Sequence, residues 1–285
     1  MTKLLELGGI PTSMGEIINL KFHLDLIKNQ YDQIALGFYK PLWNTGLHIE
    51  APDWPQKKIL WDNFLRDLGN LFFTEKPYTL LPAPTYFGGD SEQILLRKLN
   101  MKPQKINMVN LLCKGTPLNL SEEYIVITTK VREMEKGFFT CHSASLWTTL
   151  RVLSSKYKIV ILGERVVEMR KEYITCSNSV FGIYEQIISN LPSERILDLT
   201  LPALGETVSS LAQVQQDCLI MNGAKFVITI GLGGNSCMAH SCAKMAIGFR
   251  SDNLPYAEQL FSKEYPDLIV TKNWDYFIKL LKGYL

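Results

Sequence analysis

Much of what marks a function class at a glance is missing from this chain. Its six cysteines include no CxxC pair, so neither a zinc ribbon nor a dithiol redox motif is signalled. Cys113, Cys141, Cys176, Cys218, Cys237 and Cys242 are scattered through a chain of 285 residues. That usage suggests free thiols in a reducing compartment, not a disulfide frame. No apolar run approaches the about 18 residues of a membrane span. The opening MTKLLELGG lacks the long apolar core of a signal peptide. A cytoplasmic protein without a membrane span is expected. Excess charge is missing too: the formal net charge is +2, so no broad basic surface argues for nucleic acid. GxSxG, HExxH and GxxxxGK[ST] do not occur. There is no internal repeat and no low-complexity tract.

What is present is globular. The chain is 46% hydrophobic and 20% charged, with enough length for two domains. Leu4 to Leu7 reads as a strand entering a turn-rich loop through Gly8, Gly9, Pro11 and Ser13. Gly15 and Glu16 open a helix whose Ile17, Leu20, Leu24 and Ile27 recur at helical spacing. Asp25 on that helix is expected at the surface. Gln33 to Gly37 is a second strand, completing a first βαβ unit.

From Phe38 to Phe87 the texture turns aromatic. Trp43, Trp54, Trp61, Phe64, Phe72, Phe73, Tyr78, Tyr86 and Phe87 crowd together. Lys57 to Phe73 is predicted helical, and the rest reads as loops. The rings form either a second core layer or a platform for a flat, hydroxylated ligand. Asp90 to Leu99 reads as a helix and Lys105 to Leu111 as a strand. Lys114 to Glu122 is polar and holds Gly and Pro, which marks a domain boundary.

Regular alternation follows. Strands are expected at Tyr124–Thr129, Lys158–Leu162, Arg195–Leu199 and Lys225–Ile230. Helices are expected at Ala144–Ser155, Ser179–Asn190 and Thr207–Met221. Ile247 to Phe249 reads as a strand at the sheet edge, Leu268 to Val270 as a last strand, and Trp274 to Tyr284 as a closing helix. This is a doubly wound parallel sheet. The fold class is α/β, with two such halves facing a cleft.

In these sheets ligands bind beyond the C-terminal ends of strands. That rule selects Gly8–Glu16; Thr129 with Lys130 and Arg132; Gly163, Glu164 and Arg165; Leu199–Glu206; and Gly231–Ser236. Lys130, Arg132 and Arg165 are cations at strand ends. Gly233, Gly234, Asn235 and Ser236 open a helix, with Asn235 or Ser236 expected as its N-cap. Free N–H groups and the helix dipole make such a turn an anion site. Together these loops suit a diphosphate. Glu16 is either a first-turn acid favoured by the dipole or a general base. Asp90, after Gly88 and Gly89, is a second candidate base. His23, His48, His142 and His240 read as structural. Cys141, His142, Cys237, His240 and Cys242 match no zinc spacing, so no metal is expected.

These residues carry a resemblance to GT-B glycosyltransferases, within them to the heptosyltransferase-like group. Gly15-Glu16-Ile17-Ile18 is similar to that group's Gly-Asp step before an apolar helix, with Glu for Asp. DLTLPALGETVSSLAQV (Asp198 to Val214) resembles its DLTG…TSL.EL segment. GLGGNSCMAHSCAKMAIG (Gly231 to Gly248) resembles its NDSGPMHLAAALG stretch, with Met238, Ala239 and His240 near PMHLA and Asn235 nearest the motif aspartate. The likeness covers the first 35 residues and the second half. The chain also resembles glycosyltransferases of large DNA viruses that build glycans.

The resemblance implies two facing Rossmann-like domains. Residues 1–115 would take the acceptor, 121–272 the donor, and 273–285 would form a terminal helix. It implies metal-independent, inverting transfer from a nucleotide sugar, UDP-sugars being the commonest, to a glycan hydroxyl. The nucleotide sugar is then a co-substrate and no cofactor is needed. Lys130, Arg132, Gly163, Glu164, Arg165, Leu201, Gly205, Glu206, Gly233, Gly234, Asn235 and Ser236 would bind the donor. Trp43, Trp54, Tyr86 and Phe87 would bind the acceptor, and Glu16 would be the base. Three alternatives stay open: a nucleotide-sugar epimerase of the same fold, an NAD-dependent oxidoreductase and a non-catalytic glycan-binding protein. The oxidoreductase reading rests on GLGGNS as a partial GxGxxG, with Asp252 about twenty residues on.

Overall fold

The computed structural model describes residues 2–10, 14–39, 63, 66–81, 86–87, 107–165, 180–202, 210–231, 234–249 and 268–285. Two parallel sheets organise them. In the first, β1 (Leu4–Ile10), helix α1 (Met14–Ile27) and β2 (Gln33–Tyr39) form the expected βαβ unit. β1 runs on through Gly8 and Gly9, where a loop was expected. The pair absorbs a register shift between Gly8 and Ile10, as glycines allow at a bulge. β2 also pairs in parallel with β3 (Tyr78–Leu80) and β4 (Tyr86–Phe87). Tyr86 and Phe87 therefore lie on a strand, not in the loop the sequence suggested. Within the expected Lys57–Phe73 helix, residue 63 and residues 66–72 are helical. The Asp90–Leu99 expectation lies outside the described residues.

The connection between the sheets corrects one reading. Val109–Leu112 is a helical turn, α2, where a strand was expected. Met108 and Leu112 stand four residues apart, both buried, and Met108 N–H donates to the Ser241 carbonyl at 3.0 Å. A short apolar run is ambiguous between strand and helix, and here docking decided it.

The second sheet holds six strands, all parallel: β5 (Tyr124–Thr128), β7 (Lys158–Leu162), β10 (Ile196–Asp198), β12 (Val227–Ile230), β13 (Ala246–Phe249) and β14 (Leu268–Thr271). Their spatial order is β10-β7-β5-β12-β13-β14. Counted within the sheet this is 3-2-1-4-5-6, the doubly wound dinucleotide-type order, whose direction reverses between β5 and β12. β13 lies inside the sheet and β14 forms the edge, so the expected edge position of Ile247–Phe249 is corrected.

The helices are α3 (Glu133–Ser154), α4 (Tyr184–Asn190), α5 (Leu211–Gly223), α6 (Gly234–Cys242) and α7 (Trp274–Lys282). α3 opens well before the expected Ala144, because its Glu, Met and Lys residues favour helix without an apolar stripe. Val180–Gly182, expected as helix, is strand β9, paired antiparallel with β6 (Lys130–Arg132). Its valine and phenylalanine suit a strand. A second small ribbon joins β8 (Glu164–Arg165) to β11 (Leu201–Pro202).

Alternation along the central strands builds two cores. Ile125, Ile127, Ile159, Ile161, Ile228 and Ile230 pack with Trp147, Leu150, Phe249, Trp274, Phe277 and Leu281. Val126, Val160 and Val227 join a cluster containing Val214, Cys218, Ala239 and Cys242. That same cluster contains Leu7, Ile17, Leu20, Leu24, Ile34 and Leu36 of the first sheet. Helix α1 packs directly on α6.

Candidate functional site

β5 and β12 pair only at Val126/Val227 and Ile127/Ile228. β5 stays paired with β7 as far as Thr128/Leu162, and β12 with β13 as far as Ile230/Phe249. The sheet thus parts where its winding reverses, at the C-terminal ends of its strands. General topology locates ligand crevices there.

Three chain segments converge on this opening. Gly163, after β7, has φ +110°, a conformation that side chains resist. A Cβ there would lie 2.9 Å from Thr129 Oγ1 and 3.1 Å from Asn235 Nδ2. The hydroxyl after β5 and the carboxamide on α6 therefore flank one bare backbone position. Thr129 N–H donates to the Leu162 carbonyl at 3.0 Å, which fixes its place beside Gly163. Thr128, Thr129 and Thr229 are buried hydroxyl residues in this part of the sheet.

The turn after β12 is held from within. Gly231 has φ +79°, and its N–H donates to the Phe249 carbonyl at 2.7 Å. Ser236 Oγ donates to the Gly231 carbonyl at 2.7 Å. The helix begins at Gly234, so Asn235 and Ser236 lie inside its first turn and neither is the N-cap. The Ser236 hydroxyl thus ties the first turn of α6 back to the end of β12. α6 spans 9 residues, enough to carry a dipole at that end.

The rim is built by the two ribbons. Lys130 and Arg132 sit on β6, and Ile183, after β9, donates its N–H to the Thr129 carbonyl at 3.4 Å. Glu164 and Arg165 sit on β8, with Leu201 in register with Glu164. At the neighbouring strand end, Asp198 accepts from Tyr184 Oη at 2.7 Å and from Thr200 N–H at 2.9 Å. This lock orders the entry to β11. Glu16 lies in the first turn of α1, the helix that packs on α6.

The structure therefore gathers Gly163, Asn235 and Ser236 at one opening and puts Lys130, Arg132, Glu164, Arg165, Leu201 and Gly234 on the segments around it. Tyr86 and Phe87 belong to the first sheet. Trp43, Trp54, Asp90, Gly205, Glu206 and Gly233 lie outside the described residues. Thr129 was selected from sequence as part of a strand-end segment but not among the donor-binding residues. Its contact with Gly163 and Asn235 depends on tertiary structure alone. Among the described residues no group of three or more His, Cys, Asp or Glu side chains is arranged to hold a metal ion. No described helix is long and apolar enough to cross a membrane.

No family model matches the chain, and no curated protein matches it. Among solved structures it is similar to ADP-heptose lps heptosyltransferase II of E. coli, at 14% identity and TM-score 0.46, over 99% of this chain and 98% of that one. It is also similar to the dodecameric iron-containing heptosyltransferase TibC, solved in complex with ADP-D-beta-D-heptose, at 12% identity and TM-score 0.47 over 95% of this chain. The chain spans 63% of the length of TibC. The chain itself has a mixed α/β fold of two parallel sheets, the second parting between β5 and β12 where its winding reverses.

Proposed function

We propose that the chain is a glycosyltransferase of GT-B type, moving a sugar from a nucleotide-diphosphate donor to a glycan hydroxyl. One observation carries the reading: Thr129, Gly163 and Asn235 meet at the N-terminal turn of α6, where β5 and β12 part. A diphosphate suits that place, because neutral donors and helix N–H groups can face its charge at small reorganisation cost. Lys130 and Arg132 neutralise it from β6, and the nucleoside lies toward Glu164, Arg165 and Leu201–Glu206. UDP-sugars are the first donors to try. Residues 121–272 form the donor side and residues 1–115 the acceptor side, with Trp43, Trp54, Tyr86 and Phe87 stacking on sugar rings.

Glu16 takes the proton from the acceptor hydroxyl. The oxygen attacks the anomeric carbon, the bond to the diphosphate breaks, and the nucleoside diphosphate leaves with inversion. The leaving charge falls on the N–H groups of α6, Lys130 and Arg132, so the step as proposed needs no metal ion. Support for Glu16 is positional: its helix packs on the helix that opens at the crevice.

The sheet order is also that of dinucleotide enzymes, which favours the oxidoreductase as second reading. In those enzymes the glycine fingerprint follows the first strand of the order. Here it follows β12, the fourth, and β5 leads instead into Thr129 and Lys130. The glycosyltransferase reading is therefore preferred.

Replacing Glu16 by Gln should cut transfer about 10²- to 10⁴-fold, with donor affinity unchanged by calorimetry. Full turnover in Glu16→Gln would remove Glu16 as the base.

A further inference from the structure

Two neighbouring strands of the second sheet break their ladder at the same level. β10 and β7 pair as far as Asp198 and Ile161. β11 and β8 resume with Leu201 opposite Glu164. Both strands advance three residues between these pairs, so the register is kept across the interruption. On the β7 side the interruption contains Gly163, at φ +110°. On the β10 side it is a turn made by Asp198, whose Oδ1 accepts from Thr200 N–H at 2.9 Å and from Thr200 Oγ1 at 2.6 Å. An aspartate that bonds the backbone two residues on forms an Asx turn. Leu199 N–H still donates to the Ile161 carbonyl at 3.1 Å, so the turn starts from the sheet itself.

The other oxygen of Asp198 is held from outside the turn. Tyr184 Oη donates to Oδ2 at 2.7 Å. Tyr184 opens α4 directly after Ile183, which is fully buried and donates its N–H to the Thr129 carbonyl. Tyr184 is therefore anchored beside Thr129, and Asp198 joins that anchor to the strand entering β11. We propose that Asp198 is a positioning residue for the nucleoside of the donor, holding the β8–β11 ribbon in place relative to Thr129 and Gly163. The assignment rests on the donor reading of the crevice and adds a division of labour to it. The turn of α6 meets the diphosphate, and the ribbon held by Asp198 distinguishes a nucleoside diphosphate from bare pyrophosphate.

The chemistry of the lock separates three variants. Asp198 is exposed and Tyr184 half-buried, so trimming either opens no core cavity. Asp198→Ala removes the turn and the bond from Tyr184 together. Asp198→Asn keeps an acceptor for Thr200 N–H, and asparagine also forms Asx turns. Its amide N–H can donate to the Tyr184 oxygen, which accepts as well as donates. Tyr184→Phe removes the outer bond alone.

Two measurements on the full chain test this: amide hydrogen exchange without ligand, and calorimetric titration of UDP, GDP, ADP and inorganic pyrophosphate. In Asp198→Ala, exchange across residues 163–165 should rise about tenfold while residues 159–161 keep their protection. A nucleoside diphosphate should bind that variant about tenfold more weakly, with pyrophosphate affinity unchanged. Tyr184→Phe should shift both readouts less, in the same direction, and Asp198→Asn should stay near the wild type. Unchanged exchange in Asp198→Ala, unchanged nucleotide affinity, an equal loss for pyrophosphate, or an Asp198→Asn as impaired as Asp198→Ala would each overturn the inference. A wild type that binds no nucleotide would instead overturn the donor reading, and the nucleoside role with it. The exchange comparison, which needs no ligand, still decides then whether Asp198 holds the ribbon.

Discussion

The two faces of the six-stranded sheet are covered in different ways. One face is private to the second half: isoleucines from β5, β7 and β12 pack under α3, α4 and α7 with Phe249, Trp274 and Phe277. The opposite face is shared. There valines meet the small residues of α5 and α6, among them Cys218, Ala239 and Cys242, and the same cluster continues into Leu24, Leu20 and Ile17 of α1. Small residues let helices approach closely, and that approach brings α1, with Glu16 in its first turn, against the helix that opens at the crevice. The first sheet's described core is thus continuous with the shared face. The private face packs the second half alone, and the shared face joins α1 of the first half to α6 of the second.

Mutations can break this contrast. The largest effect is expected for Phe277→Ala, fully buried between Phe249 and Trp274, with ring centroids at 5.8 and 5.3 Å. It should cost about 3–5 kcal/mol in urea unfolding, with donor affinity kept in the folded fraction. Leu24→Ala, fully buried on α1, should cost about 2–5 kcal/mol. It should also raise amide exchange in α6 as well as in α1. Exchange confined to α1 would mean the shared core does not couple the halves.

Two carboxyls on the shared side titrate with opposite sign. Asp217 on α5 is pushed up to about 6 by burial, against a hydrogen bond from Gln213. Its ionised form is disfavoured in the fold. Stability should therefore be highest below about pH 4 and fall as pH rises toward about 6. Asp217→Asn should remove that fall and add about 1 kcal/mol at pH 7. Asp25 is smaller in effect. Burial raises it, but hydrogen bonds from Lys21 and Tyr78 and the charges of Lys21 and Lys28 outweigh that and hold it below 3.8. Its stabilisation is present above about pH 4 and lost as pH falls further. Tyr78→Phe, which removes the 2.7 Å bond to Asp25, should cost about 1 kcal/mol and flatten that acid limb.

The second half was largely legible in sequence, because its strands are continuous apolar runs and its helices carry buried stripes. Tyr124–Thr128, Lys158–Leu162 and Trp274–Lys282 lie where periodicity put them. The misreadings share a cause. Val109–Leu112, Val180–Gly182 and Tyr86–Phe87 are short pieces whose state is chosen by a distant partner: α5 and α6, β6, and β2 in turn. Asp25 was expected at the surface, yet Tyr78, far along the chain, holds it half-buried. In the site, the glycine turn and Asn235 were visible as a phosphate-type signal. That a Cβ at Gly163 would crowd Thr129 and Asn235 could not be read, because those three positions meet only once three strands are assembled.

The central claim is that the parting of β5 and β12 holds a nucleotide diphosphate. Calorimetric titration of UDP, GDP, ADP, CMP and NAD into the wild type and Gly163→Val tests it most directly. A Cβ at position 163 would crowd Thr129 and Asn235. The account predicts that a nucleoside diphosphate binds the wild type and binds Gly163→Val at least about tenfold more weakly, a loss of roughly 1.4 kcal/mol, while the variant stays folded. Equal affinity in both proteins, binding of NAD alone, or no nucleotide binding at all would contradict it, the last pointing to a glycan-binding protein without transfer activity.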